Sequence, residues 1–294
     1  MFSKPVHSIL HRTFALAAAS LILGATTAGA SFVTFSTGGN SATSSIQSTV
    51  DSFRTALGGI NNGNNPGPLS GGRREINWDG GGATTATASG PVLTAFTNTR
   101  GSTFTTDGLG FLQTPVNDPA LTGINSSYST TFGAFSPQRI FTPVGSNITD
   151  VTFSVAGTNG ATQATVAGFG AVFTDVDLPN VTRMEFFNSS DVQILSLNAL
   201  PGTTSNGSFS FLGAMGNAGE RIARVRITTG NSDLGPGEDS ESRVDVVAMD
   251  DFIYSEPVAA NVVPEPSTLM LAGLAALGAA GLTKLRRRLS RSVG

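Results

Sequence analysis

The sequence predicts a mainly β protein: an antiparallel β-sandwich, jelly-roll-like, with one short N-terminal helix. Three observations predict it. Only 13% of the 294 residues are charged, against about 25% in an ordinary soluble domain. Gly, Ser, Thr and Asn take their place, and these are weak helix formers that favour turns. Short apolar-polar alternations also follow one another from residue 91 onward, with turn clusters roughly every 8–12 residues. Helical spacing is convincing in one stretch alone.

Taken in order, residues 1–30 read as a secretory signal. Lys4 and Arg12 give a basic start, Phe14 to Gly24 is apolar, and Ala28-Gly29-Ala30 is a small-x-small cleavage site. Export machinery of the Sec type and a signal peptidase are the partners this implies. Residues 31–257 are the predicted sandwich. Phe32 to Phe35 starts a first strand. Ile46, Val50, Phe53 and Leu57 then share one helical face, with Ser44 or Ser45 as the expected cap and Gly58-Gly59 as the stop. This helix is expected to pack over one end of a sheet.

Residues 60–90 are rich in Gly, Asn and Pro and read as loop. Strands are predicted at 91–97, 102–106, 110–114, 138–142, 150–155 and 168–173. A hairpin follows over 181–187 and 192–197, turning at Asn188-Ser189-Ser190-Asp191. Strands at 208–213, 221–229 and 244–254 complete the set. Arg224 and Arg226 alternate with Ala223, Val225 and Ile227 and should face outward. No short-period repeat suggests a solenoid or propeller.

Charge and chemistry narrow the function. Residues 31–263 hold ten arginines and no lysine against nineteen carboxylates, a balance near −9. Such a surface excludes nucleic acid as an expected partner, because phosphate binding needs a basic patch. Cysteine is absent, and both histidines, His7 and His11, lie in the signal. Ser-His-Asp triads, Cys nucleophiles, Schiff-base lysines and His/Cys zinc sites are therefore out of reach of the body. The expectation is a non-catalytic protein.

Two constellations stand out. The first is Arg73, Trp78 and Asp79 in the segment Gly72–Gly80. Its single Trp could be a sugar-stacking platform, with Arg73 and Asp79 as glycan contacts, or it could plug the sandwich while Arg and Asp pair around it. The second is Asp250-Asp251 in the last strand. Simple alternation puts Asp251 with Val247, Met249 and Ile253, and Asp250 with Ala248 and Phe252. At least one carboxylate is then expected to face the interior, where it needs an arginine, backbone N–H groups or a cation; a bulge that turns one Asp outward is the alternative. A structural calcium is the cofactor this suggests. Asp233 to Glu241, and Asp175 with Asp177, are weaker acidic groups without metal-loop spacing.

Residues 258–263 read as a linker, and 264–291 as a tail. Val263-Pro264-Glu265-Pro266 precedes an apolar run with a spanning segment about 267–283. The basic stretch 284–291 follows, with Lys284, Arg286, Arg287 and Arg288. Seventeen residues of helix reach about 25 Å, short of the roughly 30 Å hydrocarbon core. The segment would just span, with its basic end on the cytoplasmic side.

This tail resembles the PEP-CTERM sorting signal of bacteria that have an outer membrane and make exopolysaccharide. The resemblance rests on Val263 to Thr268, on Leu269 to Leu282 and on the terminal arginines. The motif also goes under an ice-binding-protein C-terminal label, which assigns no ice binding to the body. The resemblance implies an exosortase that cuts near Pro264-Glu265-Pro266. It also implies transient residence in the inner membrane and a final place at the cell surface or in the matrix. The body is similar to a functionally uncharacterised class of exported proteins. That likeness rests on Gly72–Gly80, Phe135–Arg139, Gly168–Val176 and Met249–Phe252. The expected function is a non-catalytic surface or matrix protein that binds glycan, with exopolysaccharide as the ligand considered. A carboxylate-dependent polysaccharide hydrolase or lyase, and a purely structural or adhesive protein, are the alternatives.

Overall fold

The computed structural model describes residues 31–204, 206–236 and 243–260. The secretory signal, the spanning segment and the basic stretch lie outside the described residues. Among the described residues no helix is long and apolar enough to cross a membrane.

The chain begins with β1 (Phe32–Gly38), α1 (Ser44–Ala56), β2 (Arg73–Ile76), β3 (Thr87–Ser89), β4 (Val92–Leu93), β5 (Ser102–Thr105) and β6 (Gly110–Pro115). Two one-turn helices follow, α2 (Pro119–Thr122) and α3 (Tyr128–Thr131), and then β7 (Arg139–Val144), β8 (Ile148–Phe153), β9 (Ala164–Thr165) and β10 (Gly168–Thr174). The hairpin β11 (Arg183–Phe187) and β12 (Gln193–Asn198) leads to β13 (Phe209–Gly216), β14 (Arg224–Thr228), β15 (Ala248–Ser255) and β16 (Val258–Ala259).

All but β9 and β16, which pair with each other, form two antiparallel sheets that face each other. One runs β1-β13-β10-β15-β7-β6-β3, with β2 also paired to β15; the other runs β12-β11-β14-β8-β5-β4. Their inner faces supply the main core. Phe169, Ala171 and Phe173 of β10 meet Phe104, Val151 and Phe153 of β5 and β8, and Met184, Phe186, Val225 and Ile227 of β11 and β14. Each fully buried Phe or Ile here contributes about 1.5–3 kcal/mol relative to exposure. Burial alternates along β8, β11 and most of β14, where a sandwich buries one face of the sheet, whereas β10 is buried on both faces. Arg224 and Arg226 sit on the outer face of their sheet, paired to Asp150.

The helix sits as expected over one end of a sheet: it lies on the outer face of the larger sheet, at its β1–β13 end. Ile46, Val50, Phe53 and Leu57 pack there on Val172, Phe209, Phe211 and Ile253. Close approach is possible because glycines pave the contact. A Cβ on Gly170 would lie 2.8 Å from a Phe53 ring carbon, and one on Gly213 3.1 Å from the same ring. No serine side chain caps the start, which falls at Thr43 without a side-chain hydrogen bond. Gly58 and Gly59 do stop the helix, both with positive φ.

A second outer patch, unforeseen in the sequence, is covered by α2 and α3. Leu121, Tyr128 and Phe132 pack there on Leu112, Ile140 and Ala248. The single helix expected thus becomes one long helix and two short ones among the described residues. Pro119 opens α2 and Asp118 caps it by accepting the Ala120 N–H at 2.9 Å. The expected linker 258–263 also begins inside the fold. Val258 and Ala259 pair with Thr165 and Ala164, and the Ala260 N–H donates to the Gln163 carbonyl at 2.9 Å.

Candidate functional site

The site is built on an irregularity in β15. Against β10, Ala171 is opposite Phe252 and Phe173 is opposite Met249, so Asp250 and Asp251 together face a single residue. This is a β-bulge. It shifts the alternation by one: Met249 and Phe252 both enter the inter-sheet core, while Asp250 and Asp251 both turn to the outer face. The bulge also marks where β15 changes partner on its other edge. Met249 pairs with Phe141 of β7, and Phe252 to Ser255 pair with β2. The sequence-based expectation of an inward-facing carboxylate is corrected by this extra residue.

Trp78 fills the gap between β2 and β7. Its indole lies 3.7 Å from the Phe141 ring, nearly parallel, with Phe96, Phe104 and Phe252 at its edges. Its Nε1 donates to the Asp250 carbonyl at 3.1 Å. The residue is 1% exposed, so it has no free face on which a sugar could stack. It also holds a left-handed backbone with φ 64°, an uncommon state for a bulky residue that the surrounding packing must support. Of the two roles considered for Trp78, the plug is the one its surroundings permit.

Asp79 is likewise committed. Its Oδ1 accepts the N–H groups of Gln138 (2.5 Å) and Arg139 (2.9 Å), and its Oδ2 accepts from Asn77 at 2.6 Å. Arg73 donates to Glu75 and to the Gly59 carbonyl. Neither side chain lines a cavity beside Trp78. Arg74, by contrast, is fully buried and forms a two-point pair with Glu256, both bonds at 2.8 Å. Its remaining protons go to the carbonyls of Gly63, Asn65 and Thr99. This pair ties the Gly/Asn-rich loop 61–72 to the sheet.

Around the bulge, three separate segments converge. Asp250 Oδ2 accepts the N–H groups of Phe135 (2.6 Å) and Ser136 (3.2 Å). The Ser136 Oγ lies 3.1 Å from Asp250 Oδ1 and 2.6 Å from Asp251 Oδ1. A hydroxyl has one proton, so both contacts are hydrogen bonds only when one carboxyl is protonated. Electrostatics agree. Burial, and then the neighbouring Asp251 charge, push the Asp250 carboxyl well above the usual aspartate range. Burial also raises Asp251, despite Ser136 and Arg54. From α1, Arg54 reaches Asp251 at 3.1 Å and Glu75 at 3.0 and 3.2 Å. Burial works against the Arg54 charge, but Glu75, Asp51 and Asp251 outweigh it and hold its pKa above the ordinary value.

These surroundings do not fit calcium. The ion takes about six to eight oxygen ligands, whereas Asp250 and Asp251 face N–H groups, a hydroxyl and a guanidinium. Among the described residues no group of three or more His, Cys, Asp or Glu could hold a metal. The acidic loop 233–241 runs into residues outside those described. Asp175 and Asp177 do not join the bulge; Asp245 accepts the N–H of Asp177 at 3.3 Å.

Above the bulge lies a polar cleft of about 350 Å³, lined by Arg54, Asn61, Glu75, Arg100, Ser136 and Asp251, with Asn77 at its edge. A second cavity of about 240 Å³ adjoins it, sharing Asn77 and Arg100 and adding Asn64, Phe96 and Thr99. Of the residues expected at a site, Asp251 lines the first cavity and the buried Trp78 floors the second. Arg54, Asn61, Asn77, Arg100 and Ser136 were not foreseen. Glu75 and Ser136 do fall within segments singled out in the sequence, but they become one site only through the fold.

A family model described as a PEP-CTERM protein-sorting motif matches residues 262–288. The chain carries a PEP-CTERM sorting motif. The motif implies an exosortase as its processing partner and export to the cell envelope or surface. No curated protein and no solved structure matches the chain. Its body and cleft therefore rest on their own residues.

Proposed function

We propose that the body is the exported, non-catalytic cargo of this sorting signal and that it binds glycan in the cleft over the Asp250–Asp251 bulge. The observation that carries the reading is the composition of that cleft. Asparagine amides, a serine hydroxyl, two carboxyl groups and two arginines surround about 350 Å³, within the range of about 300–1,000 Å³ usual for ligand sites. An amide both donates and accepts, and a carboxylate accepts twice, which suits the paired hydroxyls of a sugar.

In this reading residues 1–30 direct export. Residues 267–283 hold the chain in the inner membrane, with Lys284, Arg286, Arg287 and Arg288 inside. An exosortase then cuts near Pro264-Glu265-Pro266, and the body reaches the surface or matrix, where exopolysaccharide is its ligand. Only residues 261–263 separate Ala260, which bonds to Gln163, from Pro264.

The test is a titration of the full chain, purified in mild detergent, with extracellular polysaccharide from its own host. Saturable binding without loss of polymer length is the expected result. Depolymerisation would replace the reading with a hydrolase or lyase. Absence of binding would leave a structural or adhesive role.

A further inference from the structure

Arg100 is the unpaired cation of this site. The other arginines nearby have carboxylates: Arg54 has Asp51, Glu75 and Asp251, Arg73 has Glu75, and Arg74 has Glu256. Among the described residues Arg100 forms no ion pair. One terminal nitrogen donates to the Asn64 amide oxygen, while its Nε is buried with no hydrogen-bond partner. Burial depresses its pKa and the charge of Arg74 adds to that effect, while Tyr254 and Glu75 oppose it. A half-buried guanidinium with an idle buried donor costs free energy unless an anion meets its charge.

Its place gives that cost a use. Arg100 stands on the boundary of the two adjoining cavities and lines both. Its backbone is fixed: the carbonyl accepts from the Tyr254 hydroxyl at 3.1 Å and the N–H donates to the Phe96 carbonyl at 2.8 Å. With one proton shared by Asp250 and Asp251, the arginines at 54, 73, 74 and 100 are matched by the negative charges of Asp51, Glu75, Glu256 and the aspartate pair. The cleft is locally near neutral although the body is acidic.

We infer that the cleft takes an acidic sugar, whose carboxylate pairs with Arg100 while the amides of Asn61, Asn64 and Asn77 take ring hydroxyls. This rests on the glycan reading above and names its ligand class. A planar carboxylate matches the guanidinium fork, and such a pair is stronger than a neutral hydrogen bond. The cavity on the far side of Arg100, with Phe96 and Thr99, has room for the neighbouring residue of an oligosaccharide.

The experiment is calorimetric titration of the full chain with an oligouronate of four to six units and with the same oligomer after reduction of its carboxyls to alcohols. The wild type should bind the acidic oligomer at least about tenfold more tightly than the reduced one. Arg100→Gln should bind both equally, at the weaker level. Arg183→Gln, an exposed arginine on the other sheet, should behave as wild type. Near-ultraviolet circular dichroism checks that Arg100→Gln keeps its fold; the wild-type comparison of the two oligomers stands even if it does not. Equal wild-type affinity for both oligomers overturns the role of Arg100 and leaves glycan binding intact. Binding of neither overturns glycan binding itself. Competition by inorganic phosphate at the same concentrations as the uronate overturns the saccharide assignment in favour of a general anion site.

Discussion

Arg54 in the last turn of α1 and Asp251 in the bulge of β15 meet at 3.1 Å, 197 positions apart in the chain. Through Arg54 the helix is bound to the sheet by charge as well as by its apolar face, and the same contact forms one wall of the cleft. Arg54→Met keeps the stem and removes the charge, leaving Asp251 and Glu75 without their shared cation. The expected loss is about 1–3 kcal/mol in urea unfolding. Adding Asp251→Asn should recover part of it, because the two changes are coupled. A loss below about 0.5 kcal/mol would put the helix–bulge link in doubt.

The aspartate pair makes a pH prediction with a definite sign. Both carboxyls are raised in the fold, by burial first and, for Asp250, then by the Asp251 charge. The folded state therefore holds a proton more tightly than the unfolded chain. This contribution is fully present below the unfolded aspartate value of about 3.9 and is lost as pH rises through the raised folded value. Asp250→Asn removes one charge of the pair and keeps an acceptor for the N–H groups of Phe135 and Ser136. In thermal melts from pH 4 upward, wild type should lose stability relative to Asp250→Asn as pH rises. A constant difference between the two would show that the pair carries no shared proton.

Much of the sandwich was legible because its strands alternate against a buried face. Asp150 to Phe153, Gly168 to Phe173 and Arg224 to Thr228 alternate as the core requires. β2 was not legible. Arg73-Arg74-Glu75-Ile76 is short, charged and set among glycines, and it becomes a strand because Arg74 finds Glu256, 182 residues away. In β15, apolar residues on both sides of Asp250-Asp251 hinted at an irregularity. Its direction depends on β10 opposite, which no local pattern encodes. The cleft drew on residues spread from 54 to 251, each ordinary in its own segment. Asp118-Pro119, by contrast, is a local helix start, an N-cap followed by proline.

The Arg74–Glu256 pair gives the largest stability effect expected here. Both side chains are nearly inaccessible, 0% and 3% exposed. Arg74→Met would leave three carbonyls without their arginine donor and a buried carboxylate without its cation, with only the Asn62 amide and the Leu69 N–H still donating to it. A loss of about 3–5 kcal/mol follows, or failure to fold. Emission from Trp78, the single tryptophan, reports it in urea titrations. A loss under about 1 kcal/mol would mean that the loop 61–72 is not fastened in this way.

Gly170 tests the seat of the helix. A Cβ there would lie 2.8 Å from Phe53 and 2.9 Å from Phe211. Both rings sit in the core under α1, so they cannot move freely. Gly170→Ala should cost about 1–3 kcal/mol through overpacking, despite the gain alanine usually brings in the unfolded chain. A stabilising effect in urea unfolding would show that the helix stands further from the sheet than described.

On the proposed reading, the tail delivers residues 31–260 as cargo. Intact-mass measurement of the protein recovered outside host cells tests it most directly, in strains with and without the exosortase. The account predicts a form that begins at Ser31, keeps the body through Ala260 and ends near Pro264-Glu265-Pro266, and whose release depends on the exosortase. Recovery of the full tail through Arg288 outside the cells, or the same form in both strains, would contradict it.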